Sequence, residues 1–347
     1  MFEGAIRRRV TALPNVTTLQ QHRAQALTGS RGRIHAVQLR TPSGELTELE
    51  ADFFADTTGR GSRADRWLTD LGYPAIPQTT IAPRLGYASR LYRPAADPAR
   101  NWLACYLMIT SPPQTRGGSI APIEDGRWIV TLNGLGADRP TSGDENFLPF
   151  AKTLPHPVIA DALATAEPLT PVATTHATSN RRRHLERMPR QPANLVLLGD
   201  AACCFNPLYA QGMTAAVHSA ALLRACLASH AAPHVCAARY HRRLAALLDR
   251  YWLLATAVDL RHPTTQGPPP GPLQRLLAIG LDRVLTTGTH DQRVQRAFLE
   301  ALNMTRTPAS LASPQIAVRL ARTFSHRTTM TLTPPPAGPA SARRALH

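Results

Sequence analysis

Apolar and polar positions follow mostly strand-like spacing in the first part of the chain and helical spacing in the last third. Residues 2–10 read as the end of a helix, closed by the turn Leu13-Pro14-Asn15. Short period-2 runs follow at 16–19, 34–39 and 46–51, each predicting a strand. The turn Thr41-Pro42-Ser43-Gly44 joins the last two as a hairpin. Phe53-Phe54-Ala55 predicts a buried strand, then a polar glycine-containing loop and a helix around Trp67. The runs 85–89, 102–109 and 128–132, separated by turn-rich loops, predict an antiparallel sheet. Phe147, Phe150, Val158, Ile159 and Leu163 mark a helix pair within 144–168. A basic stretch, 181–190, precedes one more buried strand at 195–198 and an Ala-rich helix over about 212–229. The remainder to about residue 324 is helical, interrupted by Pro263 and by the Pro/Gly run 267–272. The tail from Thr333, with Pro334-Pro335-Pro336, has no means of forming a core and is expected to be disordered.

Composition narrows the possibilities. With 347 residues, the chain has room for two domains. Lys+Arg total 39 against 23 Asp+Glu, a formal charge of +16 that invites a nucleic-acid or acidic-membrane partner. Lys152 is the only lysine, however, and a coding bias toward arginine gives this pattern with no partner at all. No nucleic-acid partner is expected. The runs Arg7-Arg8-Arg9 and Arg181-Arg182-Arg183 read as solvated or structural. The five cysteines are odd in number and contain no CxxC pair, which points to a reducing compartment and away from a four-cysteine zinc site. Arg7 to Arg9 stand where a signal peptide needs an apolar core, and no apolar run approaches a membrane span. A soluble, cytoplasmic chain is the expectation. The stretch from His230 through Pro233 and His234 to Cys236 is broken by proline, so no metal is expected. Adjacent Cys203 and Cys204 read as buried small hydrophobes rather than a redox pair. No G-x-S-x-G elbow or H-E-x-x-H is present to anchor a hydrolase.

The most informative segment is LVLLGDAACCFNPLYAQGMTAAVHSAALL, residues 195–223. Gly199 lets the chain leave the strand without a Cβ in the way. Asp200, at the strand's carboxyl end, is placed to accept hydrogen bonds from a polyhydroxyl chain. The loop through Pro207 presents free backbone N–H groups before Gly212, and the helix N-terminus adds about half a positive charge. That end can hold an anion or a polarised carbonyl. Ala215, Ala216 and Ala220 allow close packing on the sheet. The bland reading is an ordinary strand–loop–helix.

This string resembles the second flavin-contacting motif of the FAD-dependent monooxygenases related to para-hydroxybenzoate hydroxylase. The resemblance implies that Gly199 and Asp200 hold the flavin ribityl chain, that Pro207 belongs to the contacting loop, and that Gln211, Gly212 and Met213 lie by the ring. The variant here is similar to a bacterial subgroup that includes polyether-type epoxidases, which usually has Gly where Ala210 stands. If that position needs a positive φ, alanine costs ~1 kcal/mol or more. The segment ADFFADTTGRGSR, residues 51–63, resembles the family's V-D-A-T/S-G-R-x-S stretch. It implies that Asp56, Gly59 and Arg60 lie near the FAD diphosphate, which Arg suits through its bidentate reach, and that Ser62 and Arg63 open the next helix. The bland alternative is Ser62 as a simple helix cap. The two segments stand in the family's order, and the likeness runs on to about residue 320.

These enzymes begin with a G-x-G-x-x-G strand–turn–helix, and no such segment precedes Asp56; Gly29-Ser30-Arg31-Gly32 does not fit. The expectation is a chain lacking the first βαβ unit. It is then a truncated product or mis-called start, a degenerate paralogue, or a chain completed by a partner polypeptide. The strands at 53–55 and 195–198 should then show an open edge or an uncovered apolar face.

The expected fold class is α/β (α+β): an incomplete FAD-binding Rossmann-like domain, an antiparallel substrate-domain sheet and a helical C-terminal region. The expected boundaries are 1–78 with 191–232, then 79–190, 233–330 and a tail at 331–347. The resemblance implies an FAD-dependent monooxygenase, an epoxidase or hydroxylase. FAD would be reduced by NAD(P)H and take up O₂ at C4a, and the hydroperoxide would pass oxygen to an apolar alkene or aromatic small molecule. No side chain need act as nucleophile. Tyr87, Tyr106 and Leu132 are candidate substrate-wall residues on the antiparallel sheet. A flavin-dependent reductase of prenyl-type double bonds shares both motifs, and a non-catalytic remnant or partner-binding subunit is the alternative from another class. Flavin halogenases share the motifs too, but need a catalytic lysine and W-x-W-x-I-P, and neither is apparent.

Overall fold

The computed structural model describes residues 2–30, 32–97, 100–109, 114–229 and 233–322. Its first elements are α1 (Phe2–Thr11), β1 (Arg23–Ser30), β2 (Arg33–Arg40), β3 (Leu46–Glu50), β4 (Phe54–Asp56) and α2 (Ala64–Asp70). Then come β5 (Gln78–Ile81), β6 (Leu85–Arg93), β7 (Cys105–Leu107), β8 (Arg116–Pro122), β9 (Trp128–Leu135), α3 (Asp144–Lys152) and α4 (Val158–Ala164). The chain continues through β10 (Glu167–Pro168), β11 (Ala173–Thr175), β12 (Asn180–Arg183), β13 (Leu195–Leu197) and β14 (Cys203–Cys204). It ends in α5 (Gly212–Leu227), α6 (Pro233–Asp259), α7 (Pro272–Gly288), α8 (Gln292–Leu302) and α9 (Pro314–Arg322). These elements form two compact units.

The first unit holds the described residues of 1–84, 178–278 and 300–308. Strands β1, β2 and β3 make an antiparallel meander, and the turn between β2 and β3 is the expected hairpin, closed by Thr41 N–H on the Glu45 carbonyl. Strands β4 and β13 pair in parallel, Val196 opposite Ala55. Strand β13 is apolar throughout because it is covered on both faces: Leu195, Val196 and Leu197 are all buried, whereas β4 buries Phe54 and Asp56 and exposes Ala55. Asn194, itself buried, joins meander to β4. Its Oδ1 accepts from Ile34 N, and its Nδ2 donates to the carbonyls of Ile34 and Asp52. Helix α2 buries Ala64, Trp67 and Leu68, an i, i+3, i+4 stripe. From α6, Tyr240 donates its hydroxyl to the Leu197 carbonyl beneath β13. Strand β12 lies between β5 and β14, antiparallel to both.

The second unit holds the described residues of 85–177, 279–299 and 309–322. Its sheet runs β10-β6-β9-β8-β7, with β11 also on β6. Alternation along β9 turns Trp128, Val130 and Leu132 into a core with Ala88 and Ile120, where Phe147 of α3 and Ile159 of α4 cover them. Gly118 lets α4 approach: a Cβ there would lie 3.1 Å from Ile159 Cδ1.

Several expectations change. The run 16–19 is no strand; the strand of that region is β1, whose small and polar residues and two bulges hide its alternation. Only Cys105–Leu107 of the run 102–109 is extended, and β8 escaped notice because Gly117 and Gly118 carry no side chain to pattern. Residues 79–84 and 178–190 fall with the first unit, not the sheet domain, because β5 pairs with β12 and β12 with β14. The C-terminal helices are shared between the units rather than forming a region of their own. The tail at 331–347 lies outside the described residues, as does part of the His230–Cys236 stretch. Among the described residues, no group of three or more His, Cys, Asp or Glu is placed to hold a metal ion. No helix among them is long and apolar enough to cross a membrane. The β4–β13 pair has no third strand among the described residues; Phe54, Leu195, Val196 and Leu197 are covered, whereas Ala55 is exposed. Exposed apolar side chains among the described residues include Met213, Val217 and Leu227 on α5 and Leu273, Leu276 and Ile279 on α7.

Candidate functional site

The site grows from the carboxyl end of β13. Leu198 is extended, and Gly199 then turns the chain at φ 53°, a left-handed conformation that strains any residue with a Cβ. A Cβ on Gly199 would also meet the Cβ of Ala216 on α5. The glycine expected to clear space for a ligand therefore first clears space for its own helix. Asp200 follows in the same turn. Its carboxylate is half-buried and has no hydrogen bond to another described residue. Burial pushes its pKa above the ordinary carboxylate value, while the guanidinium groups of Arg60 and Arg181 pull the other way. Its Oδ1 lies 3.6 Å from where Gly212, the first residue of α5, would carry a Cβ.

The start of α5 is open. Gln211 occupies its N-cap position without a side-chain cap, and Ala215 N–H already bonds the Gln211 carbonyl. The amides of Gly212, Met213 and Thr214 have no backbone partner among the described residues, as the geometry of a helix start dictates. A 16-residue helix thus aims three free N–H groups and its positive end beside Asp200.

The turn that delivers this helix is fixed from three sides. Asn206 accepts from Leu208 N at 3.1 Å, Pro207 opens a 3-10 turn through Tyr209, and Ala210 sits at φ 52°, ψ 28°. Ala210 therefore does occupy the positive-φ conformation in which the related subgroup favours glycine. Beneath the turn lies Asp259, at the end of α6, buried to 5% exposure. It accepts from Asn180 Nδ2 at 2.5 Å, Asn206 Nδ2 at 3.0 Å and the Tyr209 hydroxyl at 2.7 Å. Burial pushes its carboxyl up to about 6, against the pull of those donors. Sequence reading missed Asp259, Asn180 and Asn206, because nothing local ties residues 180, 206 and 259 together.

The second motif builds the facing turn. Asp56 ends β4, buried, and spends its carboxylate on its own loop: Oδ1 accepts from Thr58 N and Oγ1, Oδ2 from Ser62 Oγ at 2.6 Å. Ser62 Oγ in turn accepts from Ala64 N, which is the capping role of the bland reading. Gly59, at φ 72°, opens the short turn 59–61, which lies against the turn 199–201. Arg60 reaches Ser179 O at 2.7 Å and Phe205 O at 3.4 Å, and Arg181 donates to the Arg60 carbonyl. Arg183, also buried, bonds Ser62 O, Ala201 O and Asp65. The basic stretch is structural, tying the two turns together.

The structure thus brings Asp56, Gly59, Arg60, Ser62, Gly199, Asp200, Pro207 and Gly212 into one region. Gln211 and Met213 diverge. Gln211 is buried and donates to Leu302 O at 3.1 Å, whereas Met213 is 71% exposed. Cys203 and Cys204 are buried, and burial pushes both thiols up, which makes them inert hydrophobes. The wall candidates belong to the second unit and do not share a face. Leu132 is fully buried in that unit's core. Tyr87, opposite Asn133, and Tyr106, opposite Ser119, lie on the other face by strand alternation.

The mixed α/β fold is similar to those of solved flavin-dependent halogenases and of a hydroxylase. The flavin-dependent brominase Bmp2 superposes with a TM-score of 0.63 at 11% identity, over 93% of this chain and 74% of that one. For the halogenase CmlS the values are 0.57, 17%, 93% and 57%. For the anhydrotetracycline hydroxylase OxyS of Streptomyces rimosus they are 0.54, 16%, 84% and 53%. At these identities the likeness is one of fold. In sequence, the chain is 32% identical over 280 residues, 78% of its length, to Protein Rv3254 of Mycobacterium tuberculosis (strain ATCC 25618 / H37Rv). It spans 58% of the length of that relative. No family model matches the chain.

Proposed function

We propose that the chain is an FAD-dependent oxidoreductase, and specifically a monooxygenase that epoxidises or hydroxylates an apolar alkene or aromatic small molecule. The observation that carries this reading is the pairing of the Asp200 carboxylate, which has no hydrogen bond to another described residue, with the uncapped N-terminus of α5. An acceptor-only group beside three free amides suits a ligand with both hydroxyl donors and an electron-rich carbonyl edge, and a flavin has both. Bound FAD supplies electron transfer from NAD(P)H and activation of O₂. The chain's own part is binding and electrostatics. Asp200 accepts from a ribityl hydroxyl, and the amides of Gly212 to Thr214 stabilise negative charge on the pyrimidine side. Gly59 leaves the backbone of its turn open, and the Arg60 charge favours the diphosphate. The hydroxylase and halogenases of like fold support an aromatic or otherwise unsaturated substrate. Halogenation finds no support in the chain's only lysine, Lys152, exposed at the end of α3.

The test is the visible spectrum of the purified chain after addition of FAD, followed by O₂ uptake with NADPH. A protein-bound band at ~450 nm with NADPH-dependent O₂ consumption is the expected result. Bound flavin without O₂ uptake would redirect the reading to double-bond reduction. No bound flavin at all would leave a non-catalytic, partner-binding chain.

A further inference from the structure

We propose that Asp259 is the positioning residue of this site: through Asn180, Asn206 and Tyr209 it holds the 206–210 turn and thereby aims the N-terminus of α5. The inference rests on the reading that this helix end faces a flavin, but the positioning itself is a property of the chain alone. Donors and acceptors around Asp259 are matched one to one. Asn180 Oδ1 accepts from Asn206 N at 2.7 Å, which fixes that amide so that its NH₂ must face Asp259. Asn206 Oδ1 accepts from Leu208 N, which turns its NH₂ the same way. Tyr209 adds a hydroxyl donor. Two amide donors with orientations set by backbone N–H groups converge with the Tyr209 hydroxyl on one carboxylate, an acceptor-only group that satisfies all three. Asparagine there would place its own NH₂ against a donor. A carboxylate is therefore required by the turn rather than tolerated by it.

The same turn contains the strained Ala210, which persists only where its surroundings over-determine it. Asp259 is the anchor on one side, and its position at the end of α6 is itself fixed by Thr265 Oγ1 on its carbonyl. The groups facing its carboxylate are Asn180 from β12 and Asn206 and Tyr209 from the turn. His262, just beyond α6, has its Nδ1 engaged by Thr264. Burial and the three hydrogen bonds govern its ionisation, with the carboxyl near 6.

Asp259→Asn and Tyr209→Phe test this in the full chain, by amide hydrogen exchange over residues 206–214 without flavin and by FAD titration from pH 5 to 8. Asp259→Asn should speed exchange at Asn206 and at Leu208 to Ala210, whose amides are bonded within the turn, at least tenfold while residues 216–226 of α5 keep their protection. Tyr209→Phe should do so to a lesser degree, and less again in the Asp259→Asn background. FAD affinity should fall at least tenfold in Asp259→Asn. Unchanged exchange at 206–214 in a folded Asp259→Asn protein would overturn the proposal, and so would a uniform rise over all of α5. If the wild type binds no FAD, the flavin reading fails, and the exchange result still decides the role of Asp259.

Discussion

A Cβ placed on Gly199 would lie 3.3 Å from the Cβ of Ala216, so the turn after β13 and the second turn of α5 pack too closely to take a methyl group without a small shift. Gly199 is also in the left-handed region. Both effects act against Gly199→Ala, which should lose about 1–3 kcal/mol of stability. Urea melts of the two proteins measure the difference. An unchanged midpoint would mean that the helix is held less closely than the structure places it.

Ala210 shows the opposite case. It carries a Cβ at φ 52°, where glycine sits without penalty, and its side chain is exposed. Ala210→Gly should stabilise the chain by about 0.5–1 kcal/mol, the left-handed relief exceeding the entropy that glycine adds to the unfolded state. The urea midpoint should rise with no change in slope.

The two motif aspartates should separate cleanly. The Asp200 carboxylate makes no hydrogen bond to another described residue, so Asp200→Asn should leave the melting temperature unchanged or slightly higher while weakening FAD binding at least tenfold. Asp56 anchors Thr58 and Ser62. Asp56→Ala should therefore destabilise by about 1–3 kcal/mol, because it strands the buried Ser62 hydroxyl and releases both Thr58 donors. Thermal melts and flavin titration of the two variants read both effects.

Two buried groups give opposite pH dependences. Burial pushes His241 down to about 4, and its Nδ1 is held by Gln191. A histidine depressed from 6.5 stabilises when neutral, so its contribution is full above 6.5 and is lost as pH falls toward 4. Asp259, raised to about 6, contributes fully below its unfolded value of 3.8 and loses that contribution as pH rises through 6. Each limb amounts to about 3 kcal/mol at most. The wild type should therefore vary little between pH 4 and 6.5. His241→Gln should expose the Asp259 limb, with stability falling as pH rises, and Asp259→Asn should expose the histidine limb, with stability falling as pH drops. Urea unfolding at pH 4.5, 5.5 and 7 distinguishes the three curves.

What could be read in advance was whatever local chemistry dictates. Leu-Val-Leu before Gly199 can only be a short covered strand, and the Ala-rich run after Gly212 only a close-packed helix, so the core of the site was legible. The hairpin at Thr41–Gly44 was legible for the same reason. Strand β1 was not, because its inward positions are small and its bulges break the period. Leu132 looked like an exposed wall until pairing settled its face, since alternation along one strand says which residues share a side but not which side is covered. Asp259 was invisible because its partners lie 50 to 79 positions away in sequence. Gln211 was placed at the ring by motif position, and only the structure reveals Leu302 as its partner.

Arg183 carries a consequence for how the site comes into being. One buried guanidinium grips the carbonyls of Ser62 and Ala201, residues that stand 121 and 18 positions from it. Neither turn can reach its final spacing until a loop of more than a hundred residues has closed, and such long-range closure is slow relative to local helix formation. During refolding α5 can form early, but its paired turns cannot. Ligand-binding competence should therefore emerge in the last, global kinetic phase, with no earlier species able to capture the ligand.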